Sequence, residues 1–372
     1  MKLKIAVLSG DGIGPEVTNE AIKVLKAIAL QFDHTFSFTS AKVGAVAIEA
    51  TGNPLPSDTL DLCKNTDAVL FGAIGDPKYD NDPTLKIRPE QGLLKLRKEL
   101  GLYANIRPVK AYDSLLDKSP LRKERIQGTD ISIYRELTGG IYFGDKNLSS
   151  DGKTASDVCE YSKYEIERIA RLAFIAAQAR DKKVTLVDKA NVLETSRLWR
   201  RIVGEIAKEY PEVSLDFLFV DNAAMQIILN PKQFDVILTE NMFGDIISDE
   251  ASVIGGSIGL LASASVGDTY AMFEPIHGSY PQAAGKGIAN PIASILSAAM
   301  LLDHFTLYEE AAMIRKGVNK SLKLKVTTPD LNESNLNITT SRVGDFIEDF
   351  IHNPDDSNLN FQNIHLGQST II

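Results

Sequence analysis

Short apolar runs of strand length alternate along the chain with segments of helical periodicity. Between residues 161 and 180, helical spacing predicts one buried face, formed by Ile166, Ile169, Ala170, Ala173, Phe174 and Ala177. Leu198, Ile202 and Ile206 repeat this spacing in the next helix. Runs typical of strands cover 4–9, 67–74, 130–136, 184–190, 215–223 and 235–241. Strands that alternate with helices predict the α/β class.

The longest apolar run covers residues 292–302 and predicts a buried helix. It is shorter than the ~18 residues that a membrane span needs, so no membrane association is expected.

Polar or charged residues close several of the predicted strands. The sequence there is Val-Asp-Lys-Ala-Asn at 187–191, Val-Asp-Asn at 220–222 and Thr-Glu-Asn at 239–241. Open α/β sheets bind ligands beyond the carboxyl ends of their strands. We therefore expect the functional site near these strand ends.

Length, charge and cysteine content narrow the class of protein. A chain of 372 residues is long for one simple domain and predicts two lobes. The net charge of −9 argues against a general nucleic-acid-binding surface. Cys63 and Cys159 have the spacing of neither a metal site nor a redox pair, which predicts free thiols in a reducing compartment. The apolar run before Asp11 is too short for a secretory signal, so a cytoplasmic location is expected.

The chain opens with a glycine-rich loop, GDGIGPEV at 10–17, between a predicted strand and a predicted helix. Gly10 and Gly12 fit a dinucleotide-binding fingerprint, but Pro15 stands where that fingerprint has its third glycine. Three interpretations stay open here. The loop could hold a dinucleotide, form a tight turn at a domain edge, or face a cofactor held mainly elsewhere.

A pair of aspartates indicates a metal site. Asp245 and Asp249 are four residues apart in a predicted helix that begins after Gly244, which places both carboxylates on one face. This pair suits Mg²⁺ or Mn²⁺, which prefer oxygen ligands, and Asp221 could supply a third carboxylate. The alternative is that acids in a helix's first turn merely interact favourably with the helix dipole.

Several cations suit an anionic substrate. Arg97, Arg107 and Arg135 lie in separate segments, and guanidinium groups bind carboxylates through paired hydrogen bonds, so together they would hold a dicarboxylate. Neighbouring cations would lower the pKa of Lys189 and make it a general base. Tyr142, between glycines, could donate its phenol proton. The alternatives are a solvated charge for each cation and a core aromatic role for Tyr142.

The segment 274–291 is rich in glycine and predicts a cofactor loop. Asn290 is expected to cap a helix that has Pro291 at its first position. A helix N-terminus of this kind favours a pyrophosphate, and His277 could stack on a base.

Motifs over nearly the whole chain resemble those of the isocitrate/isopropylmalate dehydrogenase family of β-decarboxylating dehydrogenases. In order they are GDGIGPE, RPEQGLLKLR, NIRP, RELTGGIYFG, DKANVLE, FGDIISDEAS and HGSYPQAAGKGIANP. The resemblance implies a two-domain α/β fold unlike a standard Rossmann fold. It implies a cofactor-binding domain of residues 1–103 and 256–352, and a dimerisation and substrate domain of residues 104–255. An arm would lie near 137–160 and a tail would cover 353–372.

The resemblance also implies a homodimer whose active site is shared between subunits. Arg97, Arg107 and Arg135 would bind the substrate carboxylates, and Tyr142 would help protonate the product. Asp245 and Asp249 of one subunit and Asp221 of the other would coordinate Mg²⁺ or Mn²⁺. Lys189 of the other subunit would remove the hydroxyl proton. The residues implied in NAD binding are Ile13, Asp76, Glu90, Asn191, Glu274, His277, Gly278, Ser279, Gln282, Gly285, Ala289, Asn290 and Asp330.

The substrate implied is (2R,3S)-3-isopropylmalate, which would be decarboxylated oxidatively to 4-methyl-2-oxopentanoate with NAD reduction in leucine biosynthesis. Leu93 and Leu94 would cover its isopropyl group, whose three carbons contribute roughly 2–3 kcal/mol when buried. An isocitrate carboxylate would be left unpaired there. A D-malate or tartrate substrate remains the alternative. Gln282 stands where NAD-using members often carry an aspartate, and it repels a 2′-phosphate less, yet NAD remains the expectation.

Two other classes of protein fit the sequence less well. A catalytically silent relative would lack the lysine, tyrosine or metal aspartates, and all of these are present. A Mg²⁺-dependent phosphotransferase would need the lysine of a P-loop, which the opening loop lacks.

Overall fold

The structure is a computed structural model that describes residues 1–80, 85–331 and 338–354. The predicted tail lies outside the described residues except for its first two positions. The strands are β1 (Lys2–Gly10), β2 (Thr35–Ser40), β3 (Ala68–Ala73), β4 (Ala104–Lys110), β5 (Asp130–Glu136), β6 (Lys146–Leu148), β7 (Ala155–Asp157), β8 (Lys183–Asp188), β9 (Ser214–Phe219), β10 (Val236–Thr239), β11 (Ala262–Val266) and β12 (Ala271–Pro275).

Helices lie between most of these strands. They are α1 (Gly14–Gln31), α2 (Ala45–Thr51), α3 (Ser57–Lys64), α4 (Pro77–Asp80), α5 (Pro89–Glu99), α6 (Lys123–Ile126), α7 (Lys163–Gln178), α8 (Glu194–Ala207), α9 (Val220–Leu229), α10 (Asn241–Ser252), α11 (Ile292–His304), α12 (Tyr308–Lys323) and α13 (Thr340–His352). Short 3₁₀ turns cover Asp113–Leu115, Gly140–Tyr142, Pro231–Gln233, Ile258–Leu260 and Pro281–Ala283.

One ten-stranded sheet runs through the molecule in the order β2-β1-β3-β12-β11-β4-β5-β10-β8-β9. The outer strands form two parallel blocks, β2-β1-β3-β12 and β5-β10-β8-β9. The ladders that join these blocks through β11 and β4 are antiparallel. Strands β6 and β7 pair separately as an antiparallel hairpin within the predicted arm.

Strand register assigns side chains to the two faces of the sheet, because successive residues point to opposite sides. Asn105 pairs with Arg135 and with Ser265, so these three side chains share one face, which we name the front face. Ile106 pairs with Tyr134 and with Ala264 on the other, rear face.

The two faces are covered differently. One continuous apolar core packs the rear face against α1, α7, α8, α11, α12 and α13. The front face has two separate cores, one under α3 and α5 and one under α9 and α10. Polar side chains of the central strands lie between these two cores. We name this region the front groove, formed by Asn105, Arg107, Arg135, Ser263 and Glu274.

The strongest local patterns are confirmed. All six residues of the face predicted within 161–180 are buried in α7, and the run at 292–302 is the buried helix α11. The strand expected at 130–136 has these bounds, and Cys63 and Cys159 are free thiols. Among the described helices, none combines the length and apolar character that a membrane crossing requires.

Other boundaries were wrong. The run 215–223 leaves the sheet after Phe219, because Val220 begins α9 and Asp221 then lies in its first turn, where a carboxylate favours a helix. Leu198 is only partly buried. Helix α11 begins at Ile292 rather than at Pro291, although the Asn290 side chain still accepts a hydrogen bond from the Ile292 amide.

Candidate active site

The front groove places two predicted arginines side by side on β4 and β5. Arg107 donates to Asn105 Oδ1 at 2.6 Å and to Ser248 Oγ at 2.7 Å. Arg135 donates to Asn241 Oδ1 from Nε at 3.1 Å and from its terminal nitrogen at 2.9 Å. These bonds fix both guanidinium groups before any substrate arrives.

Burial destabilises both charges, and the charge of Arg107 further destabilises that of Arg135. Burial is the main cause that lowers the pKa of Arg107. Burial, followed by the charge of Arg107, lowers the pKa of Arg135 to about 10. Both groups remain cationic at neutral pH, and an added anion would relieve their repulsion.

Helix α10 brings the predicted metal aspartates to this groove. Asp245 forms an ion pair with Arg135, and Asp249 lies 3.3 Å from Arg107. The helix begins at Asn241, not after Gly244 as expected, and its first turn holds no acid. The helix-dipole alternative is therefore wrong, because Asp249 lies near the end where a carboxylate is unfavourable.

Tyr142 joins the same cluster from the 3₁₀ turn after β5. Its hydroxyl donates to Asp245 Oδ2 at 3.0 Å, and its ring lies over Arg135. Burial and then the charge of Asp245 raise the pKa of Tyr142, which keeps the phenol protonated. The side chain is 41% exposed, so the alternative of a core aromatic is wrong.

Lys189 and Asp221 form a second part of the site. Lys189 follows β8, and its Nζ donates to Asp221 Oδ1 at 2.5 Å. This hydrogen bond lowers the pKa of Asp221.

In one chain the three aspartates do not meet. Within the described residues, no group of three His, Cys, Asp or Glu side chains could hold a metal ion. Asp221 is instead 65% exposed beside Lys189. Asp245 and Asp249 offer carboxylate oxygens one helical turn apart, a donor type that fits a hard divalent cation but leaves its coordination incomplete.

Arg97 closes the other side of the front groove. Its guanidinium donates to Glu274 Oε1 at 2.9 Å, and Ser265 Oγ donates to the same oxygen at 3.2 Å. A cavity of about 150 Å³ lies here, and Leu93 forms part of its wall beside Arg97. Leu94 is 42% exposed and does not line this cavity.

The segment after β12 has the features of a cofactor loop. His277 is buried, its Nδ1 lies 3.0 Å from the Gly278 carbonyl, and its Nε2 has no hydrogen-bond partner among the described residues. A side chain added at Gly278 would meet nothing within 4 Å, so the backbone is open to a ligand. An orphaned buried nitrogen beside open backbone fits a dinucleotide.

The remaining predicted cofactor residues lie around this loop or apart from it. Asp330 accepts from Asn290 at 3.0 Å, and Ala289 packs with Ile13. Glu90 and Ser279 both approach Gly75.

Gln282 is exposed, and Gly285 donates its amide to Glu16. Asp76 accepts from the Lys78 amide, and Asn191 is exposed near Lys189.

The opening loop packs against this segment instead of presenting its amides. The Ile13 amide donates to the Ser279 carbonyl at 2.7 Å, and the Asp11 amide donates to Ala73. A Cβ at Gly12 would stand 2.0 Å from the Ser279 oxygen, which explains the glycine. Amides that are already bonded do not cradle a pyrophosphate, so the structure favours the contact-loop interpretation.

Two kinds of functional residue escaped the sequence analysis. Asn105 and Asn241 orient the arginines; the first lies in the motif NIRP and the second in the strand end 239–241, but neither had been given a role. Glu240 is buried with an unpartnered Oε2, and burial followed by the charges of Asp188 and Glu136 raises its pKa to about 7. Asp188 and Glu240 lie in the strand ends 187–191 and 239–241, but only the pairing of β10 with β5 and β8 brings them close to Glu136.

The chain is similar to known proteins over nearly its whole length. A family model described as isocitrate/isopropylmalate dehydrogenase matches residues 4–347. A 3-isopropylmalate dehydrogenase of Bacteroides fragilis is 54% identical over 352 residues, covering 94% of this chain and 99% of the relative. One of Priestia megaterium is 54% identical, covering 95% and 97%.

A solved structure is similar over the whole fold. The isocitrate dehydrogenase of Methylococcus capsulatus superposes with a TM-score of 0.83 at 35% identity, covering 94% of this chain and 99% of that one. Together with the family match and the arginine, aspartate and tyrosine cluster in the front groove, this likeness places the chain in the isocitrate/isopropylmalate dehydrogenase family.

Proposed function

We propose that this chain catalyses the oxidative decarboxylation of (2R,3S)-3-isopropylmalate to 4-methyl-2-oxopentanoate with reduction of NAD, a step of leucine biosynthesis. The observation that carries the proposal is the front groove, where Arg107, Arg135 and Tyr142 surround the carboxylates of α10. The names of the relatives that are more than half identical agree with this substrate.

The arginines would bind and orient the two carboxylates of the substrate. Arg107 and Arg135 are already held by Asn105 and Asn241, so little side-chain entropy is lost on binding. Arg97 lies across the cavity with Leu93 beside it. This places an apolar wall next to a carboxylate-binding group, as a malate with an alkyl substituent requires.

Lys189 and Tyr142 would move the protons. In its neutral form Lys189 would take up the proton of the C2 hydroxyl and so become the ammonium group that hydrogen-bonds to Asp221. Tyr142 stays protonated in the free chain and can return a proton to C3 after CO₂ leaves.

A cofactor and a metal ion belong to this proposal. We expect NAD beside Ile13 and the segment 274–290, and Mg²⁺ or Mn²⁺ on Asp245, Asp249 and the Asp221 of a second copy. When bound, NAD accepts the hydride from C2, and the cation withdraws electrons from the C2 oxygen and so favours loss of CO₂.

A homodimer would complete the metal site. Asp221 is exposed, and large apolar side chains near it on α9 and α10 are exposed as well: Met225, Leu229 and Ile246. Leu148 and Val158 are exposed on the β6–β7 hairpin, which suits an arm that contacts a partner. Exposed apolar groups of this kind are typical of interfaces.

The proposal also includes a division into two domains and a cytoplasmic location. Strands of 1–103 and 256–352 form one side of the sheet, and strands of 104–255 form the other, with β11 and β4 at the boundary. Free thiols suit a reducing, cytoplasmic environment.

A substrate panel tests the function. Reduction of NAD and NADP is measured with 3-isopropylmalate, D-malate, tartrate and isocitrate in the presence of Mg²⁺ or Mn²⁺. We expect the highest kcat/KM with 3-isopropylmalate and NAD. Faster turnover of D-malate or tartrate would favour the alternative substrate class. Those substrates have no isopropyl group to cover, so the exposure of Leu94 would suit them better.

Replacement of the proposed base tests the mechanism. Lys189→Ala should lower kcat about 100-fold or more with little change in KM, because a general base acts in the transition state. Lys208→Ala, at the exposed end of α8, is the matched control. An unchanged kcat in Lys189→Ala would exclude the lysine as the base.

A further inference from the structure

A second cavity, of about 260 Å³, lies on the rear face of the sheet. The β4–β11 ladder ends at the pair Ile106–Ala264, and the next rear-face residue on β4, Pro108, has no amide to donate. Beyond this point the cavity is lined by Pro108, Lys110 and Tyr112 on one side and by 260–262 on the other. The cavity therefore occupies the gap where these two strands separate, on the side of the sheet opposite to the front groove.

The interior of this rear cavity is apolar. Leu260 and Leu261 form one wall, and Leu296 and Met300 of α11 form another. The volume is slightly below the ~300–1,000 Å³ of typical drug-sized sites, so a small ligand with a short aliphatic group would fill it.

The mouth of the cavity carries hydrogen-bond donors in excess. Lys110, Arg180 and Arg315 line it, with Asp130 as the only carboxylate among its lining residues. Asp130 already accepts from Arg180 and lies 3.4 Å from Lys110. Arg180 and Arg315 each retain N–H groups beyond those bonded to aspartates, since a guanidinium has five.

Two further polar groups face the cavity without partners. The Tyr112 hydroxyl and the Asn319 carboxamide line it, and neither side chain makes a hydrogen bond to any described residue. Burial raises the pKa of Tyr112 to about 12, so its hydroxyl remains a donor. Donors in excess around an apolar pocket call for a ligand with acceptor oxygens and an apolar tail.

We propose that the rear cavity between β4 and β11 is a binding site for a short aliphatic carboxylate. The carboxylate lies at the mouth, where Lys110 and Tyr112 donate to it, and the aliphatic chain enters between Leu261 and Leu296. The site is separate from the proposed reaction and does not depend on it.

Calorimetric titration of the full chain with hexanoate tests the site. We expect one site per chain with a Kd at or below the millimolar range. Acetate lacks the apolar tail and 1-hexanol lacks the charge, so each should bind at least about tenfold more weakly. Absence of saturable hexanoate binding at ten millimolar or so would overturn the proposal.

Variants locate the binding. Lys110→Met keeps the length of a side chain that is 54% exposed, so folding is not at risk, and it should weaken hexanoate binding about tenfold. Tyr112→Phe should weaken it several-fold, and Lys153→Met is the surface control. Arg135→Lys, in the front groove, should bind hexanoate as the unmodified chain does. Loss of binding in Arg135→Lys, or unchanged binding in Lys110→Met, would assign hexanoate to another site.

Discussion

At the scale of single residues, the front groove is defined by arginines that carboxylates of the same chain already neutralise. Arg135 contacts Asp245, and Arg107 contacts Asp249, while both remain oriented by asparagines. A cation on the two aspartates would free both guanidinium groups for an anionic substrate. The substrate and metal sites would then favour each other's occupation.

Arg135→Lys tests the importance of this geometry. A lysine keeps the charge but loses the fork that contacts Asn241 and a carboxylate together. We expect kcat/KM for the best substrate to fall roughly 10- to 100-fold, corresponding to loss of one charge-assisted hydrogen bond. Arg201→Lys, at an exposed ion pair on α8, is the control, and its steady-state constants should not change. Equal constants for both variants would contradict a substrate-binding role of Arg135.

The buried carboxyl group of Glu240 should make the stability of the folded chain depend on pH. Burial raises its pKa from 4.5 to about 7, so the folded chain holds a proton that the unfolded chain releases between these pH values. Stability is therefore lost as the pH rises from about 4.5 to 7. Glu240→Gln removes this penalty and should stabilise the chain by about 2–4 kcal/mol at pH 8, but not at pH 4. Denaturant unfolding at both values measures the difference, and an equal effect at both would exclude the titration of Glu240.

At the scale of elements, the position of α10 depends on one glycine. A Cβ at Gly244 would lie 2.6 Å from Arg135 Cγ and 2.9 Å from Thr239 Cγ2. The helix can therefore approach β5 and β10 only because residue 244 has no side chain. This contact sets the distance between the aspartates of α10 and the arginines of the sheet.

Gly244→Ala should therefore lower both stability and kcat/KM, with a loss of about 1–3 kcal/mol from overpacking. Gly204 of α8 supplies a matched control, because a Cβ there meets nothing within 4 Å. Gly204→Ala should stabilise the chain by about 0.5–1 kcal/mol and leave catalysis unchanged. Thermal unfolding and steady-state kinetics of both variants measure this, and full activity in Gly244→Ala would show that α10 tolerates displacement.

At the scale of the whole molecule, the site consists of two parts that a single chain keeps separate. Lys189 and Asp221 form one part, and the aspartates of α10 with Tyr142 form the other. A symmetric dimer would bring each part against its complement, because every residue of a two-fold interface meets the reciprocal residue.

Mixed dimers test this arrangement. Lys189→Ala and Asp249→Asn should each be nearly inactive alone. When the two are unfolded together and refolded, half of the dimers would be mixed and each would contain one intact site, which predicts about a quarter of the unmodified activity. Each variant, unfolded and refolded alone in parallel, is the control. No recovery in the mixture would contradict a shared site.

Residue type and motif alone pointed to the arginines, the aspartates, Lys189 and Tyr142 as candidates, and these assignments stay predictions. The buried faces of α7 and α11 were predicted from periodicity and are confirmed. Periodicity depends on near neighbours, so a single chain segment carries it. The start of α10 was misplaced, because the contacts that hold Asn241 come from β5 and Tyr161.

Where these groups meet follows from the folded arrangement of the strands. The candidate residues lie near the carboxyl ends of parallel strands, where a ligand site was expected: Tyr142 follows β5, α10 follows β10 and Lys189 follows β8. Which of these strand ends are neighbours follows only from the order β5-β10-β8-β9 in the sheet. The pairing of β4 with β5 and β11 joins residues far apart in the chain, such as Asn105 with Arg135, 30 positions away, and with Ser265, 160 positions away. Such register depends on long-range packing that no local pattern encodes. The rear cavity and the buried acid Glu240 arise in the same way, from strands that meet only in the folded chain.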